Sequence, residues 1–380
     1  MTTPVERERV YRGRVYLGGR AYVGAVGVAA GIAPTLVGFA LASMAARGPS
    51  GAMWAALVGA VGVTVLALVL ATRARRWLGL VGVPGAALVV VYLTTHVSAP
   101  IPGAPRFTGA LPEAHPPEGM TMVRIETGVV HRSAAFAYRG GSMFDAREFA
   151  MNAILVRHPK GDVLVDTGLG ADIDAQMKAF PALFRWMTAY ERKRSTAEQL
   201  DAAGYDRGAL AGVLLTHAHW DHASGLSGLG DVPVWVTREE RGFIEEGGEV
   251  MALTRGIAGV RYETFEFSDV PYLGFARSFD VYGDGAIVVV PTPGHTPGSV
   301  AVFVTLPTGT RYALIGDLVW QLEGITERAE RPWLTRRLAD ADPEGVRANI
   351  ARVAAIHEAF PEMIVVPAHD ARAFEAIPPL

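Results

Sequence analysis

The chain has 380 residues, a formal net charge of −3 and no cysteine. The length predicts more than one region, and the nearly balanced charge argues against a nucleic-acid partner. The lack of cysteine excludes both disulfides and thiolate metal ligands. Half of the residues are hydrophobic, and this excess is concentrated in the first hundred residues.

Three apolar runs follow one another in that region, at 21–46, 52–71 and 78–97. None contains Asp, Glu, Lys or Arg, and each is close to the ~20 residues that cross a bilayer. A cleavable signal would be one short run before a small-residue site. The sequence therefore predicts a membrane anchor over residues 1–97, made of about three transmembrane helices.

The arginines that flank these runs predict the orientation. Positive charges precede the first run and lie between the second and third, whereas only Arg47 separates the first from the second. By the positive-inside rule, the N-terminus and residues 73–76 lie in the cytoplasm. Three crossings then place residues 98–380 outside the cytoplasm.

Residues 98–119 are rich in proline, which predicts a stiff, extended linker in which His115 is solvated. Beyond it, strand and helix patterns alternate. The turn PKGD at 159–162 predicts a hairpin, and Ser195 with Glu198 predicts a capped helix that ends near Gly204. Strands are predicted at 152–158, 163–166, 212–216, 232–237, 286–290, 299–306, 311–315 and 363–366, with helices at 238–245 and 343–360. This pattern predicts an α/β domain over 120–380 with two sheets in the middle.

The motif THAHWDH at 216–222 follows a predicted strand and contains three of the ten histidines. In extended backbone, alternate side chains point the same way, so His217, His219 and Asp221 can converge, with His222 at a neighbouring spot. A single histidine is more often a structural residue than a metal ligand. Such a cluster of imidazoles with a carboxylate is typical of a site for zinc or a related divalent ion.

Four more polar residues follow predicted strands. His295 lies in PGHTPGS, Asp317 follows ALIG, His369 lies in VVPAHD, and Asp166 begins DTG. Each one alone is more often structural than functional. Together with the histidine motif they predict a metal site at the ends of these strands.

The order HxHxDH, GHTPGS, a GD aspartate and a late histidine resembles the metallo-β-lactamase fold superfamily, over residues 120–380. The resemblance implies an αββα sandwich with two divalent metal ions, zinc or alternatively iron or manganese. In that family's pattern Asp166 would lie behind the ligands and orient them. The ligands would be His217, His219 and His295 for one ion, Asp221, His222 and His369 for the other, and Asp317 bridging the two.

Two ions ~3.5–4 Å apart can share a hydroxide that attacks a carbonyl or phosphoryl centre. Asp221 could then accept the proton as general base. The ending PAHD at 367–370 resembles the N-acyl homoserine lactonase branch and its organophosphate-hydrolase relatives. Where those lactonases carry a substrate-contacting tyrosine, this chain has Trp320, whose indole donates a hydrogen bond but is not an acid.

Aromatic residues between the motifs have two interpretations. They could pack in the core or form an apolar wall for an acyl or aromatic substrate. Phe184, Trp186 and Tyr190 could belong to the same wall. The residues concerned are Tyr262, Phe265, Phe267, Tyr272, Phe275 and Phe279.

The sequence thus predicts a membrane-anchored metal-dependent hydrolase that cleaves an ester, lactone or related bond of a small molecule. The alternatives are a phosphodiesterase or organophosphate-type hydrolase, a mononuclear iron persulfide dioxygenase, and a non-catalytic membrane sensor. No serine-hydrolase or nucleotide-binding motif supports a different chemistry.

Overall fold

The structure, a computed structural model, describes Tyr92 and residues 96–380. The predicted spans at 21–46 and 52–71, and nearly all of 78–97, lie outside these residues. Within the described part, no helix combines the length and the apolarity that a bilayer crossing requires. Ser98–Leu380 forms one compact unit, and its architecture positions the predicted site.

Strands and short helices alternate along this unit. The strands are β1 (Thr121–Ser133), β2 (Ala146–Arg157), β3 (Asp162–Val165), β4 (Glu191–Arg192), β5 (Leu210–Leu214), β6 (Val234–Thr237), β7 (Tyr262–Phe265), β8 (Phe279–Asp280), β9 (Ile287–Pro291), β10 (Val300–Thr305), β11 (Arg311–Leu314) and β12 (Ile364–Val366). The α-helices are α1 (Ala134–Ala137), α2 (Ile173–Gln176), α3 (Ala182–Met187), α4 (Thr196–Ala202), α5 (Trp220–Ala223), α6 (Arg238–Glu246), α7 (Ala252–Arg255), α8 (Glu323–Thr326), α9 (Trp333–Ala339), α10 (Pro343–Ala359) and α11 (Ala371–Phe374). Single 3-10 turns cover Met177–Ala179, Arg207–Ala209, Ser224–Gly228, Gly248–Met251 and Gly316–Leu318.

The strands form two sheets. The first has seven strands in the order β4-β1-β2-β3-β5-β6-β7, and the second has five in the order β12-β11-β10-β9-β8. In the first sheet β3, β5, β6 and β7 run parallel, and in the second β11 and β12 do. The carboxyl ends of parallel strands share one edge of a sheet, and loops at such edges carry functional residues in open α/β folds.

Three buried clusters define the layers. One lies between the sheets and is built largely from β2, β3, β9, β10 and β11. A second packs β5 and β6 against α4 and α6 on the outer face of the first sheet. A third packs the second sheet against α10. The order helix, sheet, sheet, helix is the predicted αββα sandwich.

Local sequence explains where several elements begin. The Ser195 hydroxyl oxygen accepts a hydrogen bond from the Glu198 N–H, and the Glu198 carboxylate accepts one from the Ser195 backbone N–H, which completes the predicted capping box. Asp342 caps α10, and Pro343 occupies its first turn, where a missing N–H costs nothing. The PKGD hairpin is confirmed, since β2 and β3 pair antiparallel across it.

Each predicted strand and helix has a counterpart in the structure with shifted ends, and the largest shift is in β2, which begins at Ala146 rather than at residue 152. The strands β1, β4, β7 and β8 and most of the short helices were not predicted. Glycine in the middle of β1 obscures its pattern, since Gly128 lies at a register shift against β2. The proline-rich segment 98–119 has neither helix nor strand, yet Ile101 is buried in the core beside α10, so this segment packs onto the domain.

Truncating a core side chain in β3 should destabilise the whole domain. Leu164 is fully buried, and we expect Leu164→Ala to lower the free energy of unfolding by about 2–5 kcal/mol. Leu334→Ala is the matched control, because Leu334 is half exposed and its loss should cost at most about 0.5 kcal/mol. Urea unfolding followed by tryptophan fluorescence measures both. Equal losses would contradict this assignment of the core.

Candidate metal centre

The predicted site residues converge at the carboxyl ends of the strands. Asp166 follows β3, His217 follows β5, Asp317 follows β11 and His369 follows β12. His295 lies in the loop between β9 and β10. Residues from both sheets therefore meet at one edge of the sandwich.

The geometry of the histidine motif differs from the sequence prediction. The chain turns into α5 directly after His219, which is its extended N-cap residue. Asp221 and His222 therefore lie on a helical turn, and strict alternation ends at His219. Asp221 consequently groups with His222 and His369 rather than with His217 and His219.

Three overlapping groups of side chains could hold metal ions. In each group, the nitrogen or oxygen atoms that would bind an ion all lie within 4.8 Å of one another. The groups are His217, His219 and His295; His217, His222 and Asp317; and Asp221, His222 and His369. His217, His222 and Asp317 link the first group to the third. The three groups therefore form one continuous candidate metal site.

Unsatisfied buried atoms support this interpretation. In the described structure His217 Nε2, His222 Nε2 and Asp317 Oδ1 are buried and form no hydrogen bond. The last two atoms lie only 3.2 Å apart, so they are close without hydrogen-bonding geometry. Leaving such atoms unpaired is costly. A divalent cation among them would satisfy all three, and imidazole and carboxylate are its usual ligands.

The ring nitrogens that face away from this centre have protein partners. His222 Nδ1 lies 2.8 Å from Asp166 Oδ2, His295 Nδ1 lies 3.0 Å from Asp340 Oδ1, and His369 Nδ1 donates to the Ala150 carbonyl at 2.7 Å. Metal-binding histidines typically have such partners, which fix the tautomer and the ring orientation.

Asp166 is held in a strained conformation. Its φ is 56°, which is uncommon for a residue other than glycine. The carboxylate accepts hydrogen bonds from the Thr216 N–H at 2.7 Å and from the Thr216 hydroxyl at 2.8 Å. Because Asp166 also contacts His222, it links the two ends of the histidine motif.

Burial and neighbouring charges shift the pKa values within the centre. Burial and the neighbouring His222 hold the pKa of His217 well below its usual value, and burial and His295 do the same for His219. Burial opposes the charge on His222, but Asp166 and Asp317 outweigh it and raise its pKa. Neutral imidazoles are the form that binds metal, so His217 and His219 are ready to do so.

A cavity of about 440 Å³ opens directly above these side chains. His219, Asp221, His295, Asp317 and His369 form its polar floor. Its walls are mostly apolar and come from segments near β1, β2, α3, α9 and the loop after β11. The main wall residues are Val130, Phe136, Phe149, Met151, Phe180, Phe184, Trp220, Trp320 and Leu338.

A family model for the metallo-beta-lactamase superfamily matches residues 146–369. The chain belongs to the metallo-beta-lactamase superfamily. The match covers more than half of the chain, including every predicted metal ligand, and it confirms the family that the motifs indicated.

Relatives in the superfamily carry names of the same kind. “Probable metallo-hydrolase Rv2300c” of Mycobacterium tuberculosis is 31% identical over 233 residues, which are 58% of this chain and 74% of that protein. The N-acyl homoserine lactonase AttM of Rhizobium radiobacter is 23% identical over 189 residues, 48% of this chain and 70% of AttM. The prediction of an enzyme, a metallo-hydrolase of this fold, is thereby confirmed.

Solved structures share the fold. An AiiA variant of B. thuringiensis with N-decanoyl-L-homoserine at its active site superposes with a TM-score of 0.55 and 19% identity. The superposition covers 68% of this chain and 96% of that one. At this identity the likeness establishes the metallo-beta-lactamase architecture and nothing finer.

The aromatic wall differs from the one that the sequence suggested. Phe184 lines the cavity, whereas Trp186 is 76% exposed. Tyr272 and Phe275 are buried in the core beside the second sheet, and Phe265 packs with Phe279 between the sheet edges. Most of that segment thus follows the core-packing interpretation. The actual wall includes Phe136, Phe149 and Phe180, which no motif marked, and Trp220, which lies within the histidine motif but was not predicted as wall.

Trp320 lines the cavity, and its indole N–H is hydrogen-bonded to the candidate metal ligand Asp317. Its indole N–H donates to Asp317 Oδ2 at 2.8 Å, and its ring stacks on Phe136. The guanidinium of Arg331 lies 4.6 Å from the centre of the indole ring. In this superfamily member Trp320 therefore positions Asp317, while its ring forms part of the cavity wall.

Two supporting residues escaped the sequence analysis. Asp340 contacts His295 as described, and buried Arg331 donates to Asp340 Oδ1 at 2.8 Å and to the Asp317 carbonyl. Both lie in the segment around α9, which has no motif. The signal that could have indicated them is a buried pair of an arginine and an aspartate, and the sequence does not reveal which charged residues are buried.

Glu240 joins the two ligand-bearing loops. Its buried carboxylate accepts hydrogen bonds from the Ala218 N–H at 2.7 Å, from the Thr296 hydroxyl at 2.6 Å and from the Gly298 N–H at 3.1 Å. Gly298 cannot be larger, because a Cβ there would lie 2.3 Å from the Glu240 backbone nitrogen. The spacing between His219 and His295 therefore depends on Glu240.

This carboxyl group predicts a pH dependence of stability. Burial raises the pKa of Glu240 from 4.5 to about 7. A raised folded-state pKa stabilises the fold below pH 4.5, and that contribution is lost as the pH rises through 7. In the metal-free protein, we expect Glu240→Gln to remove a slope of at most about 1.4 kcal/mol per pH unit over this window.

Unfolding by urea at several pH values measures that slope with and without the substitution. Glu239→Gln is the matched control, since Glu239 is the exposed neighbour on the same helix. An unchanged slope in Glu240→Gln, or the same change in the control, would show that Glu240 does not titrate in this window.

Proposed function

We propose that this chain is a membrane-anchored, dinuclear metal-dependent hydrolase that cleaves an ester or lactone bearing an apolar group. The observation that carries the proposal is the placement of the candidate metal groups at the floor of an apolar cavity. A metal centre in such a cavity brings a neutral, apolar substrate and a polar reaction centre together.

The residues would divide between two ions, with zinc as the first expectation and iron or manganese as alternatives. His217, His219 and His295 would hold one ion, and Asp317 would bridge. Asp221, His222 and His369 would hold the other. When bound, two such ions supply an activated water nucleophile and polarise the oxygen under attack.

Asp221 is suited to take up the proton released in the attack. It lines the cavity floor, and its Oδ2 lies 3.4 Å from His369 Nε2. Trp320 cannot act as an acid, and its N–H already donates to Asp317. We therefore assign proton transfer to Asp221 and the positioning of Asp317 to Trp320.

The cavity lining favours a carboxylic ester or lactone over a phosphodiester. Among the described residues that line the cavity, none is lysine or arginine. Phosphoryl groups are commonly held by such cations. The lactonase names of several relatives, such as AttM, point in the same direction.

The first test is hydrolysis by the full-length chain, purified in detergent and loaded with zinc. We expect turnover of an N-acyl homoserine lactone or a neutral aryl ester that a chelator abolishes and zinc restores. Metal analysis on the same sample should give two ions per chain. One iron per chain with oxygen uptake would favour the dioxygenase instead, and two ions without turnover of any ester would favour a sensor.

Asp317→Asn is the variant that tests the bridging role. We expect it to lose one ion and to lower the turnover by about a hundredfold or more. Asp201→Asn is its control, because Asp201 is an exposed aspartate that pairs with Arg207. Retention of both ions and of activity in Asp317→Asn would contradict the proposed ligand set.

Membrane anchoring rests on the apolar runs before residue 98, and the arginine distribution favours an extracytoplasmic catalytic domain. A reporter that is active only in the cytoplasm should be silent when fused after Leu380. The same reporter fused after Arg75 should be active. Activity at the C-terminal fusion would overturn the proposed orientation.

A further inference from the structure

Large apolar side chains on the surface of the domain are concentrated around the mouth of the cavity. Three segments form this rim, defined here as residues 139–144, 181–187 and 333–339. Of the nine strongly exposed large hydrophobic residues in the described chain, six lie on the rim. They are Met143, Phe144, Trp186, Trp333, Leu334 and Leu338, with exposures between 38% and 76%.

Each rim segment is tied either to the cavity or to a neighbouring part of the rim. Leu338 and Pro181 line the cavity and are exposed, so they mark its mouth. The loop after α1 is held by hydrogen bonds from Ala134 and Ala135, immediately before the cavity residue Phe136. The Arg139 N–H donates to the Glu330 carbonyl at 2.9 Å, which brings that loop next to α9.

The chain enters the domain beside this rim. A Cβ added to Gly140 would lie 3.0 Å from Cβ of Ser98, so the start of the domain packs against the loop that carries Met143. The predicted membrane spans end at residue 97. The contact between Ser98 and the rim loop thus begins one residue after the predicted spans.

The charges on the rim match an anionic lipid surface. The three segments contain four arginines and no acidic residue, although Glu249 also borders the cavity. Arg139 and Arg336 pair with Glu330, so Arg185 and Arg337 are the arginines of the rim that face solvent. The Arg337 guanidinium lies 5.8 Å from the centre of the Trp333 ring. Arginine and tryptophan together are typical of the lipid headgroup region.

From these observations we infer that the rim lies on the lipid bilayer, so that the cavity opens toward the membrane and admits bilayer-dissolved substrates. The inference rests on the proposed membrane-anchored hydrolase. Exposed patches of this kind mark interaction surfaces, and side chains of this chemistry insert at the boundary between headgroups and acyl chains.

Single-cysteine labelling tests the inference, because the natural chain contains no cysteine. The full-length chain is reconstituted in liposomes of phosphatidylcholine and phosphatidylglycerol. It carries an environment-sensitive fluorophore at Met143→Cys or Leu334→Cys. Val270→Cys is the matched control, since Val270 is 60% exposed but lies outside the rim. We expect blue-shifted emission and quenching by spin-labelled lipids at the two rim positions, and neither effect at the control.

Each other outcome overturns the inference in a distinguishable way. Rim labels as water-exposed as the Val270 label, in a chain that floats with the liposomes, refute the docking alone and leave the proposed function intact. Shielding that depends on protein density but not on spin-labelled lipid identifies a second copy as the occupant. A chain that does not float refutes the anchor as well. Labelling requires no turnover, so a failed hydrolysis assay does not affect this result.

A second measurement covers the case in which labelling perturbs the fold. We expect Met143→Ser combined with Leu334→Ser to lower turnover of a long-chain ester in liposomes by about five-fold or more. Turnover of a water-soluble short-chain ester should be unchanged, since neither side chain lines the cavity. Val270→Ser should affect neither substrate. Equal losses on both esters would contradict docking at the rim.

Discussion

The whole edge of the sandwich depends on one electrostatic constraint, which is that imidazoles and carboxylates from both sheets are buried against one another. Burying polar atoms without partners is costly, and His217 Nε2, His222 Nε2 and Asp317 Oδ1 are in that position within the described structure. A cation removes the cost. Because these residues come from distant parts of the chain, metal binding would also stabilise the contact between the two sheets.

Successive layers of hydrogen bonds around the candidate metal centre restrict the positions of the ligand side chains. Asp166, Asp340 and the Ala150 carbonyl fix three imidazole rings from behind. Farther out, Glu240 ties the histidine motif to the PGHTPGS loop, and Arg331 ties Asp340 to the backbone of Asp317. Small errors in ligand position are costly at metal sites. This requirement explains why many buried hydrogen bonds involve supporting residues that are not themselves candidate metal ligands.

Sequence alone predicted the parts of this arrangement that are local. Hydrophobic strands followed by histidine or aspartate fixed the edge on which the site lies, and short-range rules predicted the hairpin and the capping box. It did not predict contacts between distant segments whose residues carry no motif. The turn into α5 that separates Asp221 from His217 depends on packing of the following loop. The cavity wall likewise joins Phe136, Phe180 and Trp320 from separate regions.

The apolar wall and the charged floor depend on each other physically. Aromatic side chains exclude water and lower the local dielectric, so that charges at the floor interact more strongly than they would in water. The same wall makes the cavity a poor environment for a charged substrate, which must give up its hydration to enter. The proposed substrate, an apolar ester, would lose little hydration free energy on entry and would present its polar carbonyl only at the floor. The proposed selectivity for an apolar substrate and the strength of the electrostatic interactions would therefore have one structural cause.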